Sequence, residues 1–363
     1  METSSIVKEI LGAVPVGEYY LYTDMGVVLG GIERVGRAGI SMNGKSLALG
    51  DSGMGEEARR GALEYIVEMV KRDRGTQLYL DYLANAATGL SAEVELEDGG
   101  RYDIDVDAQE GEGLLCVQRL VLHAWENVRA DVVLHVASAS TLLLQTKINA
   151  GAGAVLRIVV VQDGEDKQIL TRTTIDQEAG SDVDITYVNF DPKLARNEVK
   201  CGMHGEGSKL KLNGLYVVGG DHRVDNETLV EHHVGRTTSG QLFKGIAHGS
   251  GRMAFGGLIL VKPDAQKTSA EQTNRHLLAS REARGYSKPQ LEIYADDVKC
   301  SHGATTGQID PGQLFYMQQR GIDEGTARRL LAAAFVGEVV DAIPFPEIQK
   351  RLRERLTGET EVI

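Results

Sequence analysis

Ile148-Asn-Ala-Gly-Ala-Gly-Ala-Val-Leu-Arg-Ile158, Ile175-Asp-Gln-Glu-Ala-Gly-Ser-Asp-Val-Asp-Ile185 and Gly202-Met-His-Gly-Glu-Gly-Ser-Lys-Leu-Lys-Leu212 are one pattern written three times. Gly153, Gly180, Gly207 and a fourth glycine, Gly235, stand at intervals of 27, 27 and 28 residues. The third and fifth residues after the first three are apolar: Leu156 and Ile158, Val183 and Ile185, Leu210 and Leu212. Five residues before the glycines stand Ile148, Ile175, Gly202 and Val230, three of the four apolar. Gly235 departs from the downstream rule, with Thr238 and Gly240 in those places. Apolar residues two apart mark a strand, and a fixed period of this length marks stacked supersecondary units. No helical periodicity interrupts Ile104 to Val261, which excludes leucine-rich and tetratricopeptide repeats. The pattern predicts a β-solenoid of two or three strands per coil and about seven coils. A β-sandwich with coincidental spacing is the alternative.

Upstream, Ala92–Glu97, Tyr102–Asp107, Leu114–His123 and Val132–His135 read as strands. Before residue 90 the texture is mixed: a short helix over Ser5–Leu11, a Gly-interrupted hairpin from Glu18–Val28 and Gly30–Ile40, and a helix over Glu56–Asp73. Gly26 to Gly39 is glycine-rich but lacks both G-x-G-x-x-G order and a GK[ST] ending, so it reads as turns.

Downstream, Leu291, Ile293 and Ala295 alternate with Glu292 and Tyr294, and after Asp296-Asp297 the apolar phase passes to Val298 and Cys300. A one-residue shift exchanges the two faces of a strand, so a corner or bulge is expected at the aspartates. Beyond it Cys300 and His302 share one face. Asp310-Pro311 opens a helix and Asp323 caps a second, while Pro344 and Pro346 close it before a third over Glu347–Leu356.

The composition, 42 % hydrophobic and 25 % charged, is that of a soluble folded protein. A net charge of −13 without a basic cluster argues against nucleic acid or anionic membrane as partner. No apolar run reaches the roughly 20 residues of a membrane span, and Met1-Glu-Thr-Ser-Ser does not begin a signal peptide. Three cysteines without C-x-x-C spacing disfavour a disulfide frame or zinc knuckle and fit a reducing cytoplasm. Forty-three glycines beside 7 prolines mean many tight turns between short strands.

Lys299-Cys-Ser-His-Gly-Ala-Thr305 and Gln313-Leu-Phe-Tyr-Met-Gln-Gln-Arg-Gly-Ile-Asp323 resemble the SufB/SufD family of iron–sulfur cluster assembly proteins, the first segment its SufD-like branch. The resemblance is strong over about residues 200–345, diffuse over 100–200 and weak before 90. It implies a right-handed parallel β-helix over 91–309, between an N-terminal mixed α/β segment (1–90) and a C-terminal helical subdomain (310–363) that docks a SufC-like ATPase. It implies a non-catalytic subunit of the SUF machinery, paired through its last coil with a SufB-like chain or with itself, that builds or iron-loads nascent clusters at the shared interface. The chain itself carries no Walker motif for hydrolysing ATP.

Iron–sulfur clusters take thiolate and imidazole ligands, which makes Cys300 and His302 the candidate cluster and metal ligands. Lys299 beside Cys300 would favour the thiolate. Two groups are half of a usual ligand set, so any cluster would be transient and shared across an interface, or none would be stably bound. By resemblance, His302 is the SufD-side interface histidine. Burial as a small hydrophobe is the competing reading of Cys300. Cys116 reads as core, and Cys201 with His204 is a weak ligand pair. His232 and His233 face opposite ways, His222 falls in a polar turn with Asp221 and Asp225, and His248 falls at a coil corner. SufB-type chains carry a scaffold cysteine near the position of Asn274; no cysteine occurs here between Cys201 and Cys300. Two rival functions are a β-helix polysaccharide lyase or hydrolase, disfavoured by 5 % aromatic content and one tryptophan, and a membrane component of a transporter, disfavoured by the lack of a span.

Overall fold

The structure, a computed structural model, describes residues 34–48, 50–51, 90–108, 110–111, 113–163 and 168–358. The helices expected over Ser5–Leu11 and Glu56–Asp73, and the strand over Glu18–Val28, lie outside these residues. The described residues begin with β1 (Arg34–Met42), β2 (Lys45–Ser46), β3 (Gly50–Asp51) and β4 (Leu90–Leu96). Next come β5 (Gly100–Ala108), β6 (Leu114–Ala124), β7 (Arg129–Ser138), β8 (Thr141–Ala150), β9 (Val155–Asp163) and β10 (Gln168–Gln177). They are followed by β11 (Asp182–Phe190), β12 (Leu194–Met203), β13 (Lys209–Val218), β14 (Arg223–His232) and β15 (Thr238–Ala247). The last strands are β16 (Arg252–Val261), β17 (Ser269–Leu278), β18 (Arg284–Ile293) and β19 (Lys299–Gln308). Three helices end the chain: α1 (Pro311–Gln319), α2 (Glu324–Ala342) and α3 (Pro346–Thr357).

From β4 on, even-numbered strands pair parallel with even and odd with odd, so each turn of the chain adds one strand to each of two facing sheets. This is a parallel β-solenoid with two strands per coil, and β6 to β19 make seven turns. Inward-facing residues stack in columns. One runs Ile148, Ile175, Cys201, Val230, so the inward residue of the third repeat is Cys201 and not its neighbour Gly202. Another runs Ile158, Ile185, Leu212, Gln241, Gln272, His302 and turns polar past the fourth coil.

The glycine period has a conformational cause. Asn127, Gly153, Gly180, Gly207, Arg236 and Lys267, each two residues before an odd strand, have φ between 56° and 75°. In that left-handed conformation their N–H groups reach the next coil: Gly153 N donates to Ala179 O at 2.8 Å, Gly180 N to Glu206 O at 2.9 Å, and Arg236 N to Gln266 O at 2.9 Å. Glycine meets this demand without Cβ strain. The stretch from Gly207 to the next such corner is longer, so the left-handed place falls on Arg236, and Gly235 is there for space: a Cβ on it would lie 2.6 Å from Gln266 O. The irregularity of Gly235 in the sequence is this one-residue slip together with a polar lumen, since the inward places fall to Ser239 and Gln241.

The two ends differ. At the N-terminal end β1 pairs antiparallel with β5 and parallel with β6, covering both edges of the first coil, and Ala38 and Ile40 join the core. Gly30–Ile40 thus overlaps a strand, whose hairpin partner is β2 across Asn43-Gly44 (φ 51° and 75°). At the C-terminal end no strand covers β18 or β19 among the described residues. The tail lies along the outer face of the odd sheet. Val336, Val339 and Val340 of α2 and Ile348, Leu352 and Leu356 of α3 bury against Val159, Val188, Leu215, Val217 and Ile246. The caps are those expected: Asp310 Oδ1 accepts from Gly312 N, Asp323 Oδ1 from Thr326 N. Among the described residues no helix is long and apolar enough to cross a membrane.

Gly180 and Gly205 separate the two roles of corner glycine. A Cβ on Gly180 meets nothing within 4 Å, whereas on Gly205 it would lie 1.8 Å from Ala179 N. Gly180→Ala is expected to cost about 1 kcal/mol, the left-handed strain alone, and Gly205→Ala about 3 kcal/mol or more, because two coils must part. Urea unfolding of the two variants measures the difference; equal losses would contradict this assignment.

Candidate functional site

The last coil is β18, a corner over residues 294–298, and β19. The corner is tied down by its aspartate: Lys267 N donates to Asp297 O at 2.7 Å, Asp297 N donates to Gln266 Oε1 at 3.0 Å, and Lys267 Nζ pairs with the Asp297 carboxylate. The phase shift read at Asp296-Asp297 is therefore a change from one sheet to the other.

Register fixes where the candidate ligands point. Cys300 pairs with Ala270 and His302 with Gln272, and both of these are buried on the inner face of β17. Cys300 and His302 accordingly lie on the lumen-facing side of β19, while Lys299 and Ser301 continue the exposed outer face of Ser269 and Glu271. The two are brought together, as the spacing requires, but in different surroundings. Cys300 is half-buried and packs with Leu291 and Val298 against Ile259, Val261, Ala270 and Ala295. His302 is exposed, like nearly all of β19.

Burial pushes the Cys300 thiol up, a hydrogen bond with the Ala270 backbone offsetting this in part. The expected help of Lys299 is not realised, because adjacent residues of a strand project to opposite faces. Cys300 is a protonated thiol in the free chain. Among the described residues, no group of three or more His, Cys, Asp or Glu side chains converges to hold a metal ion. The last coil presents two soft groups beside an edge that no strand pairs among the described residues.

Beneath it the lumen is polar. Tyr216 Oη and His276 Nε2 lie 2.7 Å apart, Asn274 Nδ2 donates to Tyr216 Oη at 2.9 Å, and Ser287 Oγ donates to Asn274 Oδ1. Thr228 Oγ1 donates to Gln241 Oε1 at 2.8 Å. Gln272 is fully buried, yet neither its Oε1 nor its Nε2 has a hydrogen-bond partner. Sequence reasoning did not single out Gln272, Tyr216 or His276. The signal that finds them is the register: the partner of His302 lies one coil back at 272.

The other candidates are dispersed. Cys116 and Cys201 are core, and burial pushes the Cys201 thiol up. His204 stands outside the lumen that holds Cys201; its ring stacks on His233 at 4.4 Å and its Nε2 lies 3.4 Å from Asp176 Oδ1. His232 faces inward with its nitrogens 2.7 Å from Thr237 Oγ1 and 2.9 Å from Ser239 Oγ, which leaves neither for a metal. His222 Nδ1 lies 2.9 Å from Asp191 Oδ1, whereas Asp225 belongs to a buried network with Arg196. His248 sits at the corner over Gly219. Exposed apolar side chains gather near the open end: Tyr286, Ile293 and Tyr294 on the last coil, Phe315 and Tyr316 on α1.

Comparison with known proteins gives these features a context. Residues 107–335 match the family model described as SUF system FeS cluster assembly, SufBD core domain. The iron-sulfur cluster assembly protein SufD of Escherichia coli is 40 % identical over 169 residues, 46 % of this chain and 40 % of that protein. A SufBD family protein of Synechocystis is 35 % identical over 199 residues, 55 % of this chain and 44 % of the relative. The chloroplastic protein ABCI7 of Arabidopsis thaliana is 38 % identical over 189 residues, 51 % and 39 % of the two chains. The matched part thus spans about two fifths of the length of these relatives.

Two outcomes follow from the burial pattern. With Cys116 and Cys201 at 0 % exposure, iodoacetamide should modify Cys300 alone in the folded chain, more slowly at neutral pH than a free thiol and accelerating above it; mass mapping of the adduct is the check. Burial lowers His276 to about 4, below the 6.5 of an exposed imidazole. A depressed histidine contributes stability that is present above about 6.5 and lost as pH falls toward 4, on the order of 3 kcal/mol here. His276→Gln should flatten the acid limb of stability against pH; an unaltered limb would refute the assignment.

Proposed function

The chain belongs to the SufBD family of iron–sulfur cluster assembly proteins, and from that premise we propose that it is a SufD-like, non-catalytic subunit of the SUF machinery. Its task is to pair through the last coil with a SufB-like chain, or with a second copy of itself, so that a nascent cluster or its iron is held transiently where the two edges meet. The observation that carries this reading is the contrast between the ends: β1 covers the first coil, whereas among the described residues no strand covers β19, and Cys300 and His302 lie beside that edge. An uncovered strand edge is a template for another chain, and a cluster needs more ligands than these two.

His302 is the ligand in this reading, presenting an imidazole nitrogen from an exposed position. Cys300 is a latent second ligand whose thiol loses its proton when metal binds, since a coordinating thiol is deprotonated outright. The C-terminal helices receive a SufC-like ATPase. Support comes from α1, which buries none of its residues and exposes Phe315 and Tyr316. Two adjacent exposed aromatics on a helix that buries nothing fit a contact surface, where aromatic residues are enriched. Three free cysteines suit a reducing compartment, the cytoplasm or its plastid equivalent.

The test is reconstitution with SufB-like and SufC-like partners. His302→Ala should lower cluster yield, read from visible absorbance, by about tenfold or more, with complex assembly intact by size-exclusion chromatography. Undiminished yield in both His302→Ala and Cys300→Ala would reduce the pair to packing and sink the proposal.

A further inference from the structure

Gln272 is the strongest unexplained group among the described residues. It is 0 % exposed, and neither polar atom of its amide has a hydrogen-bond partner. Burying an amide unpaired is costly, so such a group in a formed lumen calls for a partner within its reach. Its surroundings restrict that partner. Across the lumen Nε2 overhangs Gly257, where a Cβ would lie only 2.3 Å from it. This directs the amide nitrogen toward the even sheet and leaves Oε1 for the column of its own sheet. One coil below in that column is Gln241, whose Oε1 already accepts from Thr228 and whose Nε2 is unpartnered. One coil above is His302, on the same face. Directly paired residues on one face of neighbouring strands stand about 5 Å apart, within reach of two long side chains.

We infer that Gln272 is the positioning residue for His302, its Oε1 accepting the ring N–H on the lumen side. A carbonyl oxygen has two lone pairs, so it can accept from Gln241 Nε2 below and from His302 above at once. With the proton held on the lumen-side nitrogen, the other nitrogen is bare and faces outward. A metal requires that tautomer, and ligating histidines generally donate their second N–H to a fixed acceptor. Gln241, Gln272 and His302 form an amide–amide–imidazole column in which the buried members orient the exposed one. The inference rests on the reading of His302 as a ligand, but the contact can be measured without a cluster.

The full chain labelled with 15N-histidine is the material, and the tautomer of His302 read from two-bond 15N–1H couplings is the measurement, its signals assigned by their loss in His302→Ala. One dominant tautomer is expected in the parent chain, with Gln272→Leu relaxing it to the mixture of a free imidazole. Gln272→Glu, which keeps an acceptor, should restore the single form. Leucine fills similar volume without polar atoms, so Gln272→Leu should still fold cooperatively, checked by thermal melting, with no more than the modest loss expected of its missing hydrogen bonds. The same tautomer populations in the parent and Gln272→Leu, or a free-imidazole mixture in the parent, would overturn the assignment. In the reconstituted complex Gln272→Leu should lower cluster yield about tenfold, within the range for an outer-shell partner, with assembly intact. If the tautomer responds to Gln272 while His302→Ala leaves cluster yield unchanged, the positioning contact stands and the ligand reading is what fails.

Discussion

Every part of this molecule depends on the backbone ladder between one coil and the next. A parallel strand pair satisfies its N–H and C=O groups only if the chain, after each circuit, returns directly above where it began. The corners enforce that return. At six of them a residue in the left-handed conformation comes two positions before an odd strand, and most of these aim an N–H at a carbonyl of the next coil. Where coils are stacked this closely a side chain has no room, and Gly205 and Gly235 mark such places. Once the ladder is in register, side chains have no choice of column, and both the apolar core and the polar lumen follow.

This explains what was legible in the chain. Gly153, Gly180 and Gly207 announce the solenoid because glycine takes positive φ at little cost and because these coils are equal in length. The pattern fades where the physical demand is met otherwise. Asn127, Arg236 and Lys267 hold the same conformation without being glycine, and the later coils lengthen. A fixed period therefore finds the middle of the rod and loses its ends. Binary patterning fails for another reason in the even sheet, where Arg172, Glu198, Arg196 and Asp225 are buried as a hydrogen-bonded ion network on the side opposite the lumen. Four charges inside a fold contradict the expectation that strand faces divide into apolar and polar.

The candidate site was half legible for the same kind of reason. Cys300 and His302 declare themselves by residue type and spacing. Gln272 lies thirty residues away and becomes their neighbour only through the ladder. Residue type misleads over the cysteine: Lys299 adjoins Cys300 in sequence but projects to the other side, and apolar packing sets the state of the thiol instead. Within a solenoid, proximity along the chain predicts the opposite face, and proximity one period away predicts contact.

The helical tail changes the mechanical character of the rod. A solenoid whose coils touch only their neighbours can fray from an open end one rung at a time. Here Glu347 of α3 pairs with Arg101 of β5, Arg355 lies over Phe190 of β11, and Glu338 of α2 takes Lys244 of β15 and Arg275 of β17. One continuous tail thus joins the odd strands from β5 to β17. It works as a splint for the coils between them, and the coil of β18 and β19 lies beyond the last of these ion pairs. Work done on the tail is felt along the braced coils and reaches Cys300 and His302 through the ladder between β17 and β19.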